Sequence, residues 1–406
     1  MPRDIAAPTA AATQLPRMPW ALLAAACLGM FAASSSGTTR APFLLDMARD
    51  LGTSLPLVAN LMAMTSVAWG VTSLLAGAGS DRWGRRPFLI GGPVALGLCL
   101  VGVALSGSFL GVALWSTLAG GCAGAFTGVI MAEASSRTVD RQRGRALGWV
   151  MAGQSLTLLV GVPLAAWIGA FIGWRGVNVC VAAVAVVAAL GLLATTLRPA
   201  PGEAGRSGGR GGGGRQGAGW RAAMSGPVLR LLTMGVAERI CYGLVAVYFA
   251  TFLQATYGLS LAQVAAPLAI FALGNILGTV LGGQMADRLP DRLLTFAGAM
   301  LGSAVVALAL FGWAGGGLVG TVALGFAYVL VNAIARPSLM AALANVPEEV
   351  RGTVLGLNVT SASFGWLGAA TLGGWMLAQP GGFAGFGPLA AVVAVLGGAL
   401  AFVGRR

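Results

Sequence analysis

Ten residues between two long apolar runs decide the fold: Gly77-Ala78-Gly79-Ser80-Asp81-Arg82-Trp83-Gly84-Arg85-Arg86. Three arginines and one aspartate cannot lie in hydrocarbon, and Gly84 can form the tight turn that reverses the chain. We therefore predict that this stretch is a short loop at a membrane surface. The apolar runs on either side of it are then antiparallel transmembrane helices.

The composition is typical of a polytopic membrane protein. Of 406 residues, 57% are hydrophobic and 9% are charged, whereas soluble chains carry roughly 25% charged residues. The net charge of +13 comes from arginine alone. A basic excess can indicate nucleic-acid binding, but these arginines lie between apolar runs, so we expect no nucleic-acid partner. Arginine without lysine is also typical of a GC-rich bacterial genome, which predicts a bacterial cytoplasmic (inner) membrane.

The residue types exclude several kinds of reactive site. There is no histidine, and the five cysteines are widely separated inside apolar runs. Histidine is the most common metal ligand and the usual general base near neutral pH, and scattered cysteines indicate neither a disulfide framework nor a metal site. We therefore expect no enzyme, no catalytic residue, no cofactor and no metal, and any proton carrier has to be a carboxylate.

Twelve apolar runs, each near the roughly 20 residues that a bilayer requires, divide into two sets of six. They are predicted at about 18–36, 55–79, 88–105, 110–133, 146–172, 177–197, 228–256, 261–286, 293–313, 318–335, 354–377 and 389–403. This gives a tail at 1–17, a first half at 18–197, a flexible Gly/Arg-rich linker at 198–226 and a second half at 227–404. A cleavable signal peptide is the alternative for the first run; a retained helix makes the count even.

The arginines indicate the orientation. Most of them lie in the tail, after the even-numbered runs or at the end of the chain, and the gaps after odd-numbered runs hold only Arg40, Arg49 and Arg175. Because cytoplasmic loops carry an excess of basic residues, both termini and the linker are predicted to be cytoplasmic.

Two sequence patterns recur in the two halves. Gly-x-x-x-Asp-Arg occurs at 77–82 and again at 283–288, and Arg-Gly-x-x-Leu-Gly occurs at 143–148 and again at 351–356. Matched patterns at equivalent positions indicate duplicated six-helix halves with parallel topology.

The sequence from Gly77 to Arg86 closely resembles the signature between helices two and three of the major facilitator superfamily. The resemblance implies an all-α integral membrane protein with twelve transmembrane helices in two pseudo-symmetric halves. Gly161-Val162-Pro163 and Gly173-Trp174-Arg175 make the chain most like the bacterial drug and metabolite exporters of that family. Departures are Gly79, the degraded second copy at Pro290 and Asp291, and the lack of an arginine in the outer half of run four.

The resemblance also implies a cytoplasmic gate. Asp81 is expected to face the start of helix eleven near Arg351, Asp287 the start of helix five near Arg143, and Glu133 is a candidate partner for Arg82 or Arg85. The alternative is that these charges only orient their loops. The predicted gate consists of Gly77, Asp81, Arg82, Gly84, Arg85, Arg86, Glu133, Arg143, Asp287, Arg288, Arg336 and Arg351.

The substrate site is expected on helices one, four, seven and ten, which line the central cavity in this family. In run seven, Glu238 and Arg239 lie ~16 Å from its start at 1.5 Å per residue, where charges are functional candidates. We expect Glu238 to exchange the proton, and Arg239, Tyr242, Asn275 and Asn332 to bind substrate. A structural ion pair is the alternative for the two charges, and interhelical hydrogen bonding is the alternative for the amides. Arg40 is expected at the outer rim.

The function predicted from these observations is proton-coupled export of a drug or metabolite by alternating access. The expected partners are a small-molecule substrate, protons and membrane lipids, with the chain acting as a monomer. The alternative is proton-coupled uptake of an organic anion, for which Arg239 and Arg40 would be the anion ligands.

Overall fold

Long α-helices make up almost all of the described chain. The computed structural model describes residues 18–138, 140–196, 225–313, 316–343, 345 and 348–403. The predicted tail at 1–17 lies outside these ranges, and so does the predicted linker at 198–226 apart from its last two residues. The division of the chain into a tail, two halves and a linker therefore stays a prediction.

In the described part of the chain, six long helices come before the predicted linker and six after it. They are α1 Trp20–Thr38, α2 Leu55–Trp83, α3 Arg86–Leu105, α4 Phe109–Ser136, α5 (140–172), α6 (174–195), α7 Gly226–Tyr257, α8 Leu261–Arg288, α9 Arg292–Gly312, α10 Gly317–Leu343, α11 Glu348–Leu377 and α12 Phe386–Ala399.

The boundary between α5 and α6 is a break at one glycine. Gly173 has a φ of 69° and a ψ of 174°, which is a conformation that glycine adopts without the steric cost of a side chain. Before it, α5 contains a π-helical turn, Thr157–Gly161, which ends two residues before Pro163. A short 3₁₀ turn, Ala41–Phe43, and a seven-residue helix, Leu44–Asp50, follow α1.

The described helices are consistent with the predicted twelve spans. Ten segments are long and apolar enough to cross a membrane by length and composition. One of these, Gly144–Thr195, is 52 residues long and contains most of α5 and all of α6. The helix α11, which is not among these ten segments, is 30 residues long.

Two helix ends differ from the prediction. The second run was expected to end at about 79, but α2 continues to Trp83, so residues 80–83 of the predicted loop are helical. The turn is confined to Gly84, at a φ of 80°, and Arg85. Continuing the helix keeps its backbone groups hydrogen-bonded while the long arginine side chains reach water. The tenth run was expected to end before Pro337, but α10 continues to Leu343. Prolines are tolerated inside transmembrane helices because neighbouring helices satisfy the freed backbone groups.

Glycine stripes bring two pairs of helices into close contact. On α4, a Cβ added at Gly120 would lie 2.3 Å from the carbonyl oxygen of Thr65 on α2. On α8, a Cβ added at Gly278 would lie 2.2 Å from the carbonyl oxygen of Leu330 on α10. The stripes consist of the glycines at 120, 124 and 128 on α4 and at 274, 278 and 282 on α8. Only glycine fits at these distances, so both stripes serve helix packing.

The two halves meet along two pairs of helices, α2 with α11 and α5 with α8. At the end of the molecule opposite to Gly84, the side chain of Gln254 at the end of α7 donates a hydrogen bond to the carbonyl oxygen of Pro42, at 3.0 Å. One apolar cluster includes Phe43 and Met62 from the first half and Tyr242 and Phe249 from the second. The halves are therefore packed together at this end.

Candidate functional site

The centre of the candidate site is a buried carboxylate held by two arginines. Glu238 on α7 is 1% exposed. Its Oε1 accepts a hydrogen bond from Nη2 of Arg336 on α10 at 3.0 Å, and its Oε2 lies 3.4 Å from Nε of Arg239. The cluster thus combines one carboxylate with two guanidinium groups.

Aromatic rings surround this cluster. The guanidinium carbon of Arg336 lies 5.1 Å from the ring centroid of Tyr242, one turn along α7 from Glu238. The Tyr242 ring packs edge-on against Trp366 of α11 at 5.7 Å and tilted against Phe271 of α8 at 6.4 Å. A cation over an aromatic face is a favourable arrangement, and it holds Arg336 between Glu238 and the rings.

Neighbouring helices fix the positions of these side chains. The hydroxyl of Tyr328 on α10 donates to the carbonyl oxygen of Cys241 on α7 at 2.7 Å, which ties together the two helices that carry Glu238 and Arg336. On α11, a Cβ added at Gly365 would lie 2.3 Å from the Cβ of Arg239. Glycine at this position therefore leaves room for Arg239.

Arg336 does not lie where the sequence predicted. It was assigned to the cytoplasmic gate because the tenth apolar run was expected to end at about 335, just before Arg336 and Pro337. Since α10 continues through the proline, the arginine lies within the helix and its guanidinium contacts Glu238. Its position one turn beyond Asn332 was the available signal for this placement.

A small cavity of about 40 Å³ lies beside Tyr242, between the two halves. This volume holds a few water molecules, so a larger substrate requires the halves to separate. The lining comes from α1, α2, α5, α7, α8, α11 and the turn after α1, so the expected contributions of helices four and ten are not found in it. Its residues are Thr38, Ala41, Met62, Leu158, Val162, Tyr242, Ala246, Leu268, Phe271, Ala272 and Trp366.

Two buried amides near the cluster have unpaired atoms. Asn332 lies one turn before Arg336 on α10, is fully buried, and has no hydrogen-bond partner for either side-chain polar atom within the described ranges. Asn275 on α8 is 6% exposed, and its Oδ1 likewise lacks a partner there. Buried polar atoms are rarely left unpaired, although neither amide lines the cavity beside Tyr242.

Part of the predicted gate forms an ion-pair cluster inside the first half. Glu133 near the end of α4 is 2% exposed, and its Oε2 lies 3.4 Å from Nη1 of Arg85 in the turn between α2 and α3. The same nitrogen donates to Oγ of Ser136 at 2.8 Å, and Arg137 pairs with the other carboxylate oxygen of Glu133. The structure thus brings Arg85 and Glu133 together and leaves Arg82 exposed.

The contacts predicted between the halves at the gate are not tested. The side chains of Asp81, Arg143 and Arg351 lie outside the described part of the chain. Arg86, Asp287 and Arg288 are exposed on the same side of the molecule, and Gly77 lies within α2. Their roles stay predictions.

Two further arginines have contacts that the sequence did not reveal. Arg40 was expected at the outer rim, but it is 2% exposed, and its Nη1 donates to Oγ1 of Thr65 on α2 at 2.8 Å. Arg292, at the start of α9, donates to the carbonyl oxygens of Ala286 at 3.3 Å and Ala341 at 3.2 Å. Both bind groups on neighbouring helices, and no local sequence pattern identifies such partners.

Comparisons with known proteins place the chain in a family. The family model described as Major Facilitator Superfamily matches residues 25–370, with a second match at 240–406. The chain therefore belongs to the major facilitator superfamily and is a multi-pass membrane transporter of small molecules. Its fold resembles that of a bacterial homologue of the human lysosomal transporter Spinster, solved inward-facing and unoccupied, with a TM-score of 0.74 and 16% identity over 95% of this chain and 96% of that one.

Several bacterial relatives match parts of the chain. A chloramphenicol resistance protein of Streptomyces lividans is 26% identical over 70% of each chain. A chloramphenicol efflux pump of Mycobacterium tuberculosis is 33% identical over 38% of each chain. The transcription regulatory protein OpdE of Pseudomonas aeruginosa is 31% identical over 42% of each chain. The matches thus cover well under half the length of two of these relatives.

Proposed function

We propose that this transporter exports a small aromatic molecule such as chloramphenicol in exchange for protons. The observation that carries the proposal is the buried Glu238–Arg336 pair beside the cavity between the two halves. Tyr242, Phe271 and Trp366 offer ring contacts to an aromatic substrate, and the amides of Asn275 and Asn332 offer hydrogen bonds to polar substituents. Two relatives that carry chloramphenicol in their names support the choice of the first substrate to test.

The geometry of the Glu238–Arg336 pair supports the proposed proton coupling. The Glu238 carboxylate compensates the buried charge of Arg336, with which it shares a hydrogen bond at 3.0 Å. When Glu238 takes up a proton, that compensation is lost, and an unpaired buried guanidinium is costly. Arg336 then moves from Glu238 toward the substrate space, which changes the contact between α7 and α10. Proton binding and substrate binding thereby compete for one site.

In alternating access the two halves separate first at one side of the membrane and then at the other, which would enlarge the small cavity enough for a substrate. The proposed gate at the end near Gly84 includes Arg85 and Glu133, whose ion pair holds the turn between α2 and α3 against α4. In the orientation predicted from the arginines, this end and both chain termini face the cytoplasm of a bacterial inner membrane. The opposite end, closed through Gln254 and Pro42, opens to release the substrate outside.

Expression in an efflux-deficient bacterium tests the proposal. Wild-type protein is expected to raise the inhibitory concentration of chloramphenicol and to lower the steady-state accumulation of the radiolabelled drug. Glu238→Gln should abolish both effects at equal membrane expression. The matched control is Glu203→Gln in the predicted linker, which should behave like wild type. Full resistance with Glu238→Gln would contradict the proposed coupling role.

Uptake of an organic anion is a second candidate function. The observation in its favour is the positive excess at the site, where Arg239 and Arg336 face one carboxylate. The same cells distinguish the two functions when they are supplied with radiolabelled organic anions. Proton-dependent accumulation of an anion, with no change in chloramphenicol content, would favour uptake.

A further inference from the structure

An apolar groove runs along the membrane-facing surface of the first six helices, between α1 and α5. Its volume is about 540 Å³, and its lining is entirely apolar apart from ring nitrogens and one thiol. The lining residues are Trp20, Leu23, Ala24, Cys27, Leu28, Phe31, Trp149, Leu156 and Val160. We call this feature the α1–α5 groove; it is separate from the cavity between the halves.

The groove is open to the surrounding membrane. Trp20 and Trp149 at one end are 47% and 48% exposed, and Leu156 and Val160 toward the other end are 44% and 46% exposed. From Trp20 to Phe31 the lining of α1 extends ~16 Å at 1.5 Å per residue. This is close to the ~15 Å of hydrocarbon in one leaflet, so the groove has the length of one extended acyl chain.

A cation marks one end of the groove. The guanidinium carbon of Arg145 on α5 lies 5.4 Å from the ring centroid of Trp20, and the rings of Trp20 and Trp149 meet edge-on at 5.7 Å. Arg145 is exposed and forms no ion pair with a carboxylate in the described part of the chain. Tryptophan is enriched at the membrane interface, and basic residues there attract anionic headgroups.

We propose that the α1–α5 groove binds one anionic glycerophospholipid, with an acyl chain along the groove and the phosphate at Arg145. The groove matches the shape and charge of an amphiphile. It offers a linear apolar space one leaflet deep, with an aromatic pair and a single positive charge at the interfacial end. A bilayer lipid without a specific binding site does not require the positive charge of Arg145. Selectivity for the headgroup therefore distinguishes a binding site from general contact with the bilayer.

The inner wall of the groove is shared with the cavity between the halves. Phe31 lies at the deep end of the groove, and a Cβ added at Gly161 in the π-helical turn of α5 would lie 3.1 Å from its ring. Leu158 in the same turn lines the cavity. A bound acyl chain would therefore pack on Phe31, which lies against the turn that carries part of the cavity wall.

Lipid retention by the purified full-length protein tests the proposal. In native mass spectrometry, wild-type protein in mild detergent is expected to retain phosphatidylglycerol in preference to phosphatidylethanolamine of the same chain length. Loss of one interfacial charge in Arg145→Gln should reduce phosphatidylglycerol retention about fivefold, the factor for one basic residue near a membrane surface. The control is Arg82→Gln. Arg82 is exposed on the same side of the molecule as Arg145 but does not line the groove, so its loss should leave lipid retention unchanged.

A second pair of variants tests the groove itself. Ala24→Phe places a large side chain in the groove and should lower retention of both lipids, whereas Ala21→Phe adds the same side chain to an exposed position of α1 outside the lining. Unchanged melting temperatures establish that all variants are folded. Equal retention of the two lipids by wild type and by every variant would overturn the proposal.

Discussion

At the scale of single residues, the feature that most needs a functional test is the contact of Glu238 with two arginines. A buried ion pair can be a purely structural device, and it can be replaced by neutral groups at little cost in stability. Removing one partner alone is expensive, about 3–5 kcal/mol, because it leaves an uncompensated charge. Single and double substitutions therefore separate the structural role from the transport role.

For Arg336→Gln we expect a lower melting temperature and no chloramphenicol export, because the Oε1 hydrogen bond to Glu238 is lost. The double variant Glu238→Gln with Arg336→Gln should regain most of the stability, since the remaining amides can hydrogen-bond to each other, yet still fail to export. Thermal unfolding in detergent and drug accumulation in cells give the two readouts. Export by the double variant at the wild-type rate would show that the Glu238–Arg336 pair has only a structural role.

Physical reasons explain which candidate residues the sequence could group together and which it could not. Glu238 and Arg239 were predicted because charges deep in an apolar run are costly, and Tyr242 because it lies one turn from Glu238. The structure places the three side chains around one cluster, and their roles in transport stay predictions. Arg336 was misplaced because a proline normally ends a helix in water, whereas in this bundle α10 continues. The burial of Arg40 depends on Thr65, which lies on another helix, and no spacing in the sequence encodes that contact.

At the scale of helices, glycines repeated every four residues on α4 and on α8 allow close contact with one neighbouring helix each. The periodicity of these glycines in the sequence shows which residues share a helix face, but not which helix that face contacts. The stripe of α4 packs on α2, and that of α8 packs on α10. In the predicted repeat, α2 corresponds to α8 and α4 corresponds to α10. The glycines therefore lie on the fourth helix of the first half but on the second helix of the second half.

Substitution of Gly278 should destabilise the second half. In Gly278→Ala the new Cβ would lie 2.2 Å from the carbonyl oxygen of Leu330, so α8 and α10 have to separate, at a cost of about 1–3 kcal/mol. Gly283→Ala on the same helix is the matched control, since a Cβ there has no neighbour within 4 Å. Thermal unfolding of the purified proteins measures the difference, and equal melting temperatures would contradict the close packing.

The turn at Gly84 illustrates how far local chemistry predicts an element. The glycine was expected to form the turn, and its φ of 80° confirms this. Residues 80–83, which include Asp81 and Arg82, lie beyond the predicted end of the second run, but the helix includes them, because a charge only requires access to water. Arginine side chains at a helix end reach water without unwinding the backbone.

At the scale of the whole molecule, the spans and the family could be predicted from the amino-acid pattern, whereas the arrangement of the two halves could not. Composition and hydrophobic length predicted the membrane class, and the family match confirms it. The lining of the cavity differs from the expectation, with α2, α5, α8 and α11 contributing and α4 and α10 absent. Which helices face a cavity depends on how the halves are packed in a given state, and no single-sequence pattern records that.

Transport by the purified protein in lipid vesicles tests the central claim most directly. Vesicles with an interior more acidic than the outside are supplied with radiolabelled chloramphenicol, so that protons leaving by exchange drive the drug inward. We predict drug uptake that requires the pH gradient with wild type and with Glu203→Gln, and uptake at the level of protein-free vesicles with Glu238→Gln. Gradient-driven uptake by Glu238→Gln at the wild-type rate would contradict the assignment of Glu238 as the proton carrier.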